Sequence, residues 1–391
     1  MFLRKSLFVA LLLAVVVIPA TSHATISRVM GLGGEGANYI VRDAYNPTVW
    51  PQLIYHFPQQ GGAEFYNSNG WNFQKAYINY DFGNEKSVMQ LSLDRSSTRM
   101  FGWGGDMADL AGLDALSGGY SKLNVVYGRP MGEDMLFGAA IKLGGKSYKT
   151  NADGGNIDDA YSEYGLKLGL TAMEEKLDAS VGFCFGSWNT NDGPNGKVES
   201  DGASTISLAG RYWHEVNEDY SLIPNLSVDL HSDGTKYDGG ATSKATSTDF
   251  KLGLGNNWTP KDNMLAIFEL GLQSMSTKYE MSGGGASSDA TDSQMDLYWR
   301  LGLESEIFSW LNGRFGAERA WRGAKMETST GQPETGTNPT FTYLGATAHW
   351  NRFIADVLVN PTFIANGPYF ISGMGQPLFA RASLKIDFSK E

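Results

Sequence analysis

The sequence predicts an all-β fold: a transmembrane antiparallel β-barrel of about 16 strands, with 14 as the other strand count that it allows. From residue 76 onward, apolar and polar residues alternate in segments of about ten residues, which is the length of a tilted strand that crosses a bilayer. Short links and long polar links separate these segments in turn. The composition agrees, because 48 Gly and 12% aromatic residues accompany only 19% charged residues, against about 25% in ordinary domains.

Residues 1–24 have the pattern of a secretory signal peptide. Arg4 and Lys5 precede the apolar run 7–20, and Ser22-His23-Ala24 is a small-x-small cleavage site. A membrane anchor is the alternative, but this run is short for a helical span, which needs about 20 residues. We therefore expect a mature chain that begins near Thr25 and is exported to the outer membrane of a Gram-negative cell envelope.

The barrel is predicted to occupy residues 61–391. The short links are 83–85, 129–133, 172–175, 215–218, 259–262, 305–309 and 351–352. The long links are 96–120, 145–160, 187–203, 232–245, 275–292, 322–340 and 360–378. In outer-membrane barrels the tight turns face the periplasm and the long loops face outward, so this alternation also orients the chain.

A soluble β-sandwich is the alternative for period-two segments. Here one face of the segments is Leu, Phe, Ala, Val or Trp, and the other carries Gly, Ser, Asn and charges of both signs, which is typical of a lipid face and a polar lumen. Soluble strands also average only about five or six residues. Aromatic residues near the segment ends indicate interfacial girdles; they are Trp188, Tyr212, Trp258, Trp310, Trp321 and Trp350.

Closure determines the strand count. Lipid cannot satisfy backbone N–H and C=O groups, so every strand needs two neighbours. The first of the segments between 75 and 388 runs from the outside towards the periplasm. A strand that runs outward must therefore precede it. The candidates for this strand are 52–57 and 62–66. The total is about 16, or 14 if 353–359 or an N-terminal segment is not a full strand.

The segment 379–388 alternates cleanly and ends on Phe388. It resembles the C-terminal strand that bacterial barrel-assembly machinery recognises, although Ser389-Lys390-Glu391 follow the aromatic residue. The resemblance implies that this machinery and the outer-membrane lipids are partners of the chain.

Residues 25–60 alternate poorly and are predicted to form a separate N-terminal segment. A Gly-rich stretch lies at 31–34, Asp43 follows, and Asn46-Pro47 comes next. This order resembles the start of long-chain fatty-acid transporter-like barrels, in which a Gly-rich stretch, an acidic residue and an Asn-Pro-Ala motif lie in a small plug. Thr48 stands here in place of the Ala. The resemblance implies a plug, and a periplasmic tail is the alternative.

Several kinds of chemistry are disfavoured. Cys184, the only cysteine, can form no internal disulfide and lies in a strand-like stretch. The Gly-rich run 31–36 lacks the βαβ context of a dinucleotide loop, so no cofactor is expected. The net charge of −11 disfavours nucleic-acid partners.

No enzyme and no metal site are expected. Asp229 and His231, with Ser227 and Ser232 nearby, form the best local catalytic constellation, but two-residue spacing of polar groups is what any lumen-facing strand gives. An Asx-rich loop could offer oxygen ligands to Ca²⁺, although its spacing is not that of an EF-hand and such clusters usually form turns. Its residues are Asn151, Asp153, Asn156, Asp158 and Asp159.

Charged residues on the polar face are predicted to line the lumen. The basic ones are Lys122, Lys142, Lys167, Arg211, Lys251, Arg300, Arg314, Arg381 and Lys385. The acidic ones are Asp94, Asp178, Asp229, Asp249, Glu269, Asp296, Glu304, Glu318, Asp356 and Asp387. Such residues tune ion selectivity in a water-filled pore, and mutual pairing that fills the lumen is the alternative.

The loop 96–120 is the longest after the barrel begins. Residues 106–116 could form a short helix, and Asp106, Asp109 and Asp114 are candidate acidic contacts of a pore constriction. A surface lid is the equal alternative.

These patterns predict passive passage of small hydrophilic solutes or ions, with a slight cation preference. A plugged transporter for hydrophobic compounds, similar to the fatty-acid transporter class, and a structural barrel without a pore are the alternatives. No subunit interface can be located from the sequence, so a monomer and a homo-oligomer both stay open.

Overall fold

A computed structural model describes residues 25–67, 71–83, 87–96, 120–152, 155–192, 197–283, 286–323, 340–360, 363 and 378–389. The predicted signal peptide and the candidate constriction residues Asp106, Asp109 and Asp114 lie outside these residues. The candidate calcium ligands at 151–159 lie outside the described side chains. Among the described residues, no helix is both long and apolar enough to cross a membrane.

In the described part of the chain, seventeen strands form a single antiparallel sheet. They are β1 (Gln60–Asn67), β2 (Trp71–Asp81), β3 (Val88–Ser96), β4 (Tyr120–Pro130), β5 (Leu136–Ala152), β6 (Gly155–Ala172), β7 (Leu177–Asp192), β8 (Lys197–Tyr212), β9 (His214–Asn217), β10 (Tyr220–Tyr237), β11 (Thr242–Lys261), β12 (Met264–Gly283), β13 (Ala286–Phe308), β14 (Leu311–Gly323), β15 (Thr340–Trp350), β16 (Phe353–Val359) and β17 (Phe379–Asp387).

The sheet closes on itself, because β17 pairs with β1, from Gln60 opposite Asp387 to Tyr66 opposite Arg381. The strands β8 and β9 both pair with β10 and share one position in the ring, separated at Trp213. The barrel therefore has 16 positions, and the predicted fold class is confirmed. The segment 353–359 forms the full strand β16, which accounts for 16 strands rather than 14.

The two candidate first strands have different structures. Residues 62–66 lie within β1, whereas 52–57 overlap a 3-10 turn, Pro51–His56. Pro51 has no N–H group to give to a ladder. Gln52, Leu53 and Ile54 are all buried in succession, which a strand with one lipid-facing side cannot achieve.

The two faces of the wall follow the predicted alternation. On β11, Phe250, Leu252 and Leu254 point outward, and Leu254 is 54% exposed. The register places Asp249 and Lys251 on the opposite, inner face, with their β10 partners Asp229 and Ser227. A closed belt of exposed apolar side chains is the surface that lipid covers in a transmembrane barrel.

The N-terminal segment lies inside the barrel. It comprises the helix α1 (Ile26–Gly31) and three 3-10 turns, Glu35–Tyr39, Asn46–Thr48 and Pro51–His56. Its apolar side chains pack in two clusters, one with Ile223 and Ile267 of the wall and one with Val88, Val126 and Ala140. We call residues 25–58 the plug, and the core of the molecule lies between the plug and the wall.

Asn46 organises the fold of the plug. Its side chain is fully buried, donates to the carbonyl oxygens of Asn38 and Val41, and accepts from the N–H of Asp43 at 2.6 Å. One amide group thereby joins three points of a segment that has little regular structure. This contact accounts for the Asn of the Asn46-Pro47 pair.

Candidate functional site

A buried network of ion pairs binds α1 to one side of the wall. The Arg28 guanidinium contacts both carboxylate oxygens of Glu304 on β13, at 2.7 and 2.8 Å, and also lies 2.9 Å from Asp43. Burial opposes the charged form of Arg28, but Glu304 and Asp43 prevail and raise its pKa above the usual value. Arg314 of β14 extends the network, 3.1 Å from Glu304 and 2.5 Å from Asp356.

A second arginine binds the middle of the plug from a different part of the wall. Arg211 on β8 is fully buried and pairs with Asp178 on β7 at 2.8 Å. Its Nη1 donates to the backbone carbonyls of Asn38, Tyr39 and Val41 at 3.0 to 3.4 Å. The Asn46 side chain donates to two of the same carbonyls, those of Asn38 and Val41, so Arg211 and Asn46 together satisfy this part of the plug backbone.

The last part of the plug is bound by β2 and β6. Asn79 of β2 donates to the carbonyl of Phe57 at 2.6 Å, and Lys167 of β6 donates to the carbonyl of Thr48 at 3.2 Å. At the rim, His56 lies 3.5 Å from Glu175, and burial lowers the pKa of His56 below its usual value. The contacts of the plug thus reach strands on opposite sides of the ring.

Glycines in the wall allow the plug backbone to approach closely. A Cβ at Gly138 would overlap the backbone of Gln52, and one at Gly302 would overlap the carbonyl oxygen of Leu32. A Cβ at Gly316 would lie 2.5 Å from the backbone nitrogen of Gly33. These glycines follow the inner-face spacing of their strands, and they explain part of the high Gly content.

The plug fills the half of the lumen nearest the short turns. Gly138 and Gly302 lie within a few residues of the strand ends that the tight turns connect. Arg42 and His56 of the plug contact Glu175 in the tight turn between β6 and β7. Residues 25–58 therefore lie inside the lumen as a plug, and they do not form a periplasmic tail.

A cavity of about 230 Å³ lies between the plug and the inner face of the wall. The plug contributes Tyr39 and Tyr45 to its lining. The wall contributes polar and charged side chains from β10 to β14, including Asn225, Ser227, Asp229, Asp249, Lys251, Glu269, Gln273, Arg300 and Glu318. Five charged residues that were predicted to line the lumen thus lie around one cavity. They are Asp229, Asp249, Lys251, Glu269 and Arg300, on β10 to β13.

Within this cavity the ion pairs differ in length. Arg300 lies 2.7 Å from Glu269 and 3.7 Å from Glu318, and Asn225 also donates to Glu269 at 2.9 Å. Lys251 lies 3.8 Å from Asp249. Pairing is close near β13 and looser near β10 and β11.

A separate basic cluster lies on the β4 to β7 wall. Glu163 accepts from Lys122 at 3.0 Å, Lys142 at 3.1 Å, Tyr161 at 2.5 Å and Cys184 at 3.1 Å. Two lysines surround one carboxylate, so this side of the lumen is positive. Cys184 is fully buried, and its thiol donates a hydrogen bond to Glu163.

The remaining predicted lumen residues lie on the inner face away from the cavity. Arg381 donates to Gln74 at 2.8 Å, Asp94 accepts from Asn124 at 2.6 Å, and Asp296 accepts from Gln294. Lys385 is fully buried, and Asp387 is 3% exposed. His231, the candidate catalytic base, contacts the Thr205 hydroxyl through Nδ1 at 2.9 Å.

Sequence reasoning missed the residues that organise the plug and bind it to the wall. Arg28, Asp43, Asn46 and Gln52 were not among the predicted site residues. One signal could have found Arg28, namely a lone arginine inside an otherwise apolar and Gly-rich stretch, since a buried arginine needs a carboxylate partner.

No protein-family model matches the sequence, and no protein of curated function is significantly similar to it. Among solved structures, the chain is similar to a FadL homologue from Pseudomonas aeruginosa, with 11% identity and a TM-score of 0.46, over 95% of this chain and 99% of that chain. It is similar to the ferric yersiniabactin uptake receptor FyuA from Yersinia pestis, with 11% identity and a TM-score of 0.43, over 76% of this chain and 53% of that chain.

A third similar structure is CdiB from Acinetobacter baumannii, with 10% identity and a TM-score of 0.44, over 84% of this chain and 59% of that chain. The chain matches little more than half the length of FyuA and of CdiB. Function therefore has to be inferred from the lumen itself.

Proposed function

We propose that this protein is an outer-membrane transport barrel whose periplasmic half is closed by its own N-terminal plug, and that it passes small polar solutes inward. The observation that carries the proposal is the buried attachment of residues 25–58 to opposite sides of the lumen, above all through Arg28 and Glu304. The outward belt of apolar side chains supports a position in a membrane.

The lumen favours a polar solute. Its walls carry the Glu163 cluster on one side and the charged cavity of β10 to β14 on the other. Burying such groups against a wholly hydrophobic substrate would remove their hydration without replacing it. A path for hydrophobic compounds is for this reason the weaker form of the proposal.

Passive diffusion with a slight cation preference is the second candidate, and the polar lumen supports it. It requires a continuous aqueous path past the plug. The two candidates differ in whether the plug must move before a solute can pass.

A reversible cross-link separates these candidates. The hydroxyl oxygens of Ser27 in the plug and Ser383 in β17 lie 2.8 Å apart, so the double variant S27C/S383C places two thiols close enough for a disulfide. If plug movement permits transport, uptake of small hydrophilic solutes by proteoliposomes stops when this variant is oxidised and returns with a reductant.

The single variant S27C under the same treatment is the control. Equal uptake in both redox states would contradict movement of the plug and favour passive diffusion. Absence of uptake in the wild-type protein, across solutes of both charges, would overturn the transport function.

A further inference from the structure

We propose that the lumen cavity is a binding site for a small organic cation, an amine with an aromatic or compact apolar body. Asp229 and Asp249 would bind its ammonium group. The inference rests on the proposed function, since it names the class of solute that enters above the plug. Binding itself is measured separately from transport.

The two carboxylates are placed directly against each other. Asp229 of β10 and Asp249 of β11 are partners in the antiparallel register and share the inner face. Cβ atoms of such partners lie about 4.5 to 5.5 Å apart, and like charges in this position destabilise a sheet. A bound cation between them would turn this repulsion into attraction.

The protein's own polar and cationic groups contact the two carboxylates unevenly. Lys251 reaches Asp249 at 3.8 Å, the outer limit of an ion pair, and the Gln273 amide donates to Asp249 at 3.4 Å. Among the described residues, Asp229 has no hydrogen bond and no ion pair within 4 Å. The charge of Lys167 on β6 interacts with Asp229, while its ammonium donates to the carbonyl of Thr48 in the plug at 3.2 Å.

A hydroxyl completes the site. Ser227 precedes Asp229 by two positions, lines the same cavity, and is only 5% exposed. Within the described part of the chain its hydroxyl has no hydrogen-bond partner. An ammonium group has three N–H donors, and Asp229, Asp249 and Ser227 offer it three acceptors on neighbouring inner-face positions.

Aromatic side chains also line the cavity. Tyr39 and Tyr45 of the plug and Tyr298 of β13 contribute to the lining. Aromatic faces favour both cations and flat apolar groups. The ring of Tyr45 already lies 6.0 Å from the ammonium of Lys75.

The cavity volume of about 230 Å³ suits a small ligand. Pockets for drug-sized molecules start at about 300 Å³.

The test is a binding titration of the full refolded chain in detergent, by calorimetry at pH 7.5. The probes are benzylamine, benzyl alcohol and benzoate, which have the same ring and differ in charge. We expect benzylamine to bind, and the neutral and anionic probes to bind at least tenfold more weakly. Equal binding of the three probes, or tighter binding of Ca²⁺ than of benzylamine, would overturn the proposal.

Variants locate the site. Asp229→Asn is expected to weaken benzylamine binding at least tenfold, and it removes a repulsion, so the barrel should still fold. Lys251→Gln removes a competing ammonium and is expected to tighten binding. Asp296→Asn makes the same change on the lumen face outside the cavity lining and serves as the matched control.

Equal losses in Asp229→Asn and Asp296→Asn would show a general effect of lumen charge and contradict the site. Binding of benzylamine without uptake in proteoliposomes would leave the site standing and reject the transport function. Uptake of solutes without benzylamine binding would reject the site and leave the transport function standing.

Discussion

At the scale of single residues, buried arginines determine where the plug lies. Arg28 and Arg211 are both buried, and each pairs with a wall carboxylate while it contacts the plug or belongs to it. A buried pair gains little net stability over apolar packing, but its loss leaves an uncompensated charge. Such pairs therefore specify one position of the plug rather than merely adding affinity.

Replacing Arg28 by Met should loosen the plug. The change leaves Glu304 and Asp43 in the buried network with one cation fewer, and loss of one partner of a buried pair costs about 3 to 5 kcal/mol. We expect more frequent or larger single-channel openings in planar bilayers than in the wild-type protein.

Arg42→Met is the matched control, because Arg42 lies in the same segment but pairs with Glu175 at an exposed site, where the two side chains are 41% and 40% exposed. An exposed pair contributes about 0 to 1 kcal/mol. The hypothesis fails if Arg42→Met opens the channel as much as Arg28→Met.

At the scale of elements, the strands follow from local pattern and the plug does not. Period-two alternation specified β5, β6, β7, β11 and β13, because each residue's face depends only on its neighbours in the chain. The plug has a six-residue helix and short 3-10 turns. Such pieces are not stable alone, so the packing of Ile54 and Leu32 against the wall determines their structure.

Wall glycines should be sensitive to the smallest side chain. A methyl group at Gly138 would overlap the Gln52 backbone, so Gly138→Ala should displace the turn Pro51–His56 and leave the barrel closed. We expect faster proteolysis of the plug, while the barrel stays folded.

Gly210→Ala provides the comparison. Its added Cβ would meet its nearest neighbours at 3.9 and 4.0 Å, which is ordinary contact. If both variants are cleaved at the wild-type rate, close packing at Gly138 does not hold the plug in place.

At the scale of the whole molecule, the barrel turns its polar groups inward and its apolar groups outward, the reverse of a soluble protein. Leu254 is 54% exposed and has exposed apolar neighbours on both adjacent strands. In water such a belt would cause aggregation, whereas in a bilayer it is the stabilising surface.

A lysine in this belt should therefore be costly. Leu254→Lys is expected to lower the free energy of unfolding in lipid vesicles by about 2 to 4 kcal/mol, that is, to destabilise the barrel by the amount typical of a lysine near the bilayer midplane. Denaturant titration in vesicles measures this change.

Tyr237→Lys is the control, since Tyr237 is 41% exposed at the far end of β10, beyond the length that crosses a bilayer. If the two lysines have the same effect, the belt does not lie in lipid.

The sequence by itself determined the barrel and its approximate strand count, because alternation and closure are local or counting constraints. It left residues 25–60 open between a plug and a tail. Only the tertiary structure decided this, since Arg28 and Glu304 lie 276 positions apart in the chain. It also brought Asp229 opposite Asp249, because strand register depends on pairing across the sheet and not on either strand alone.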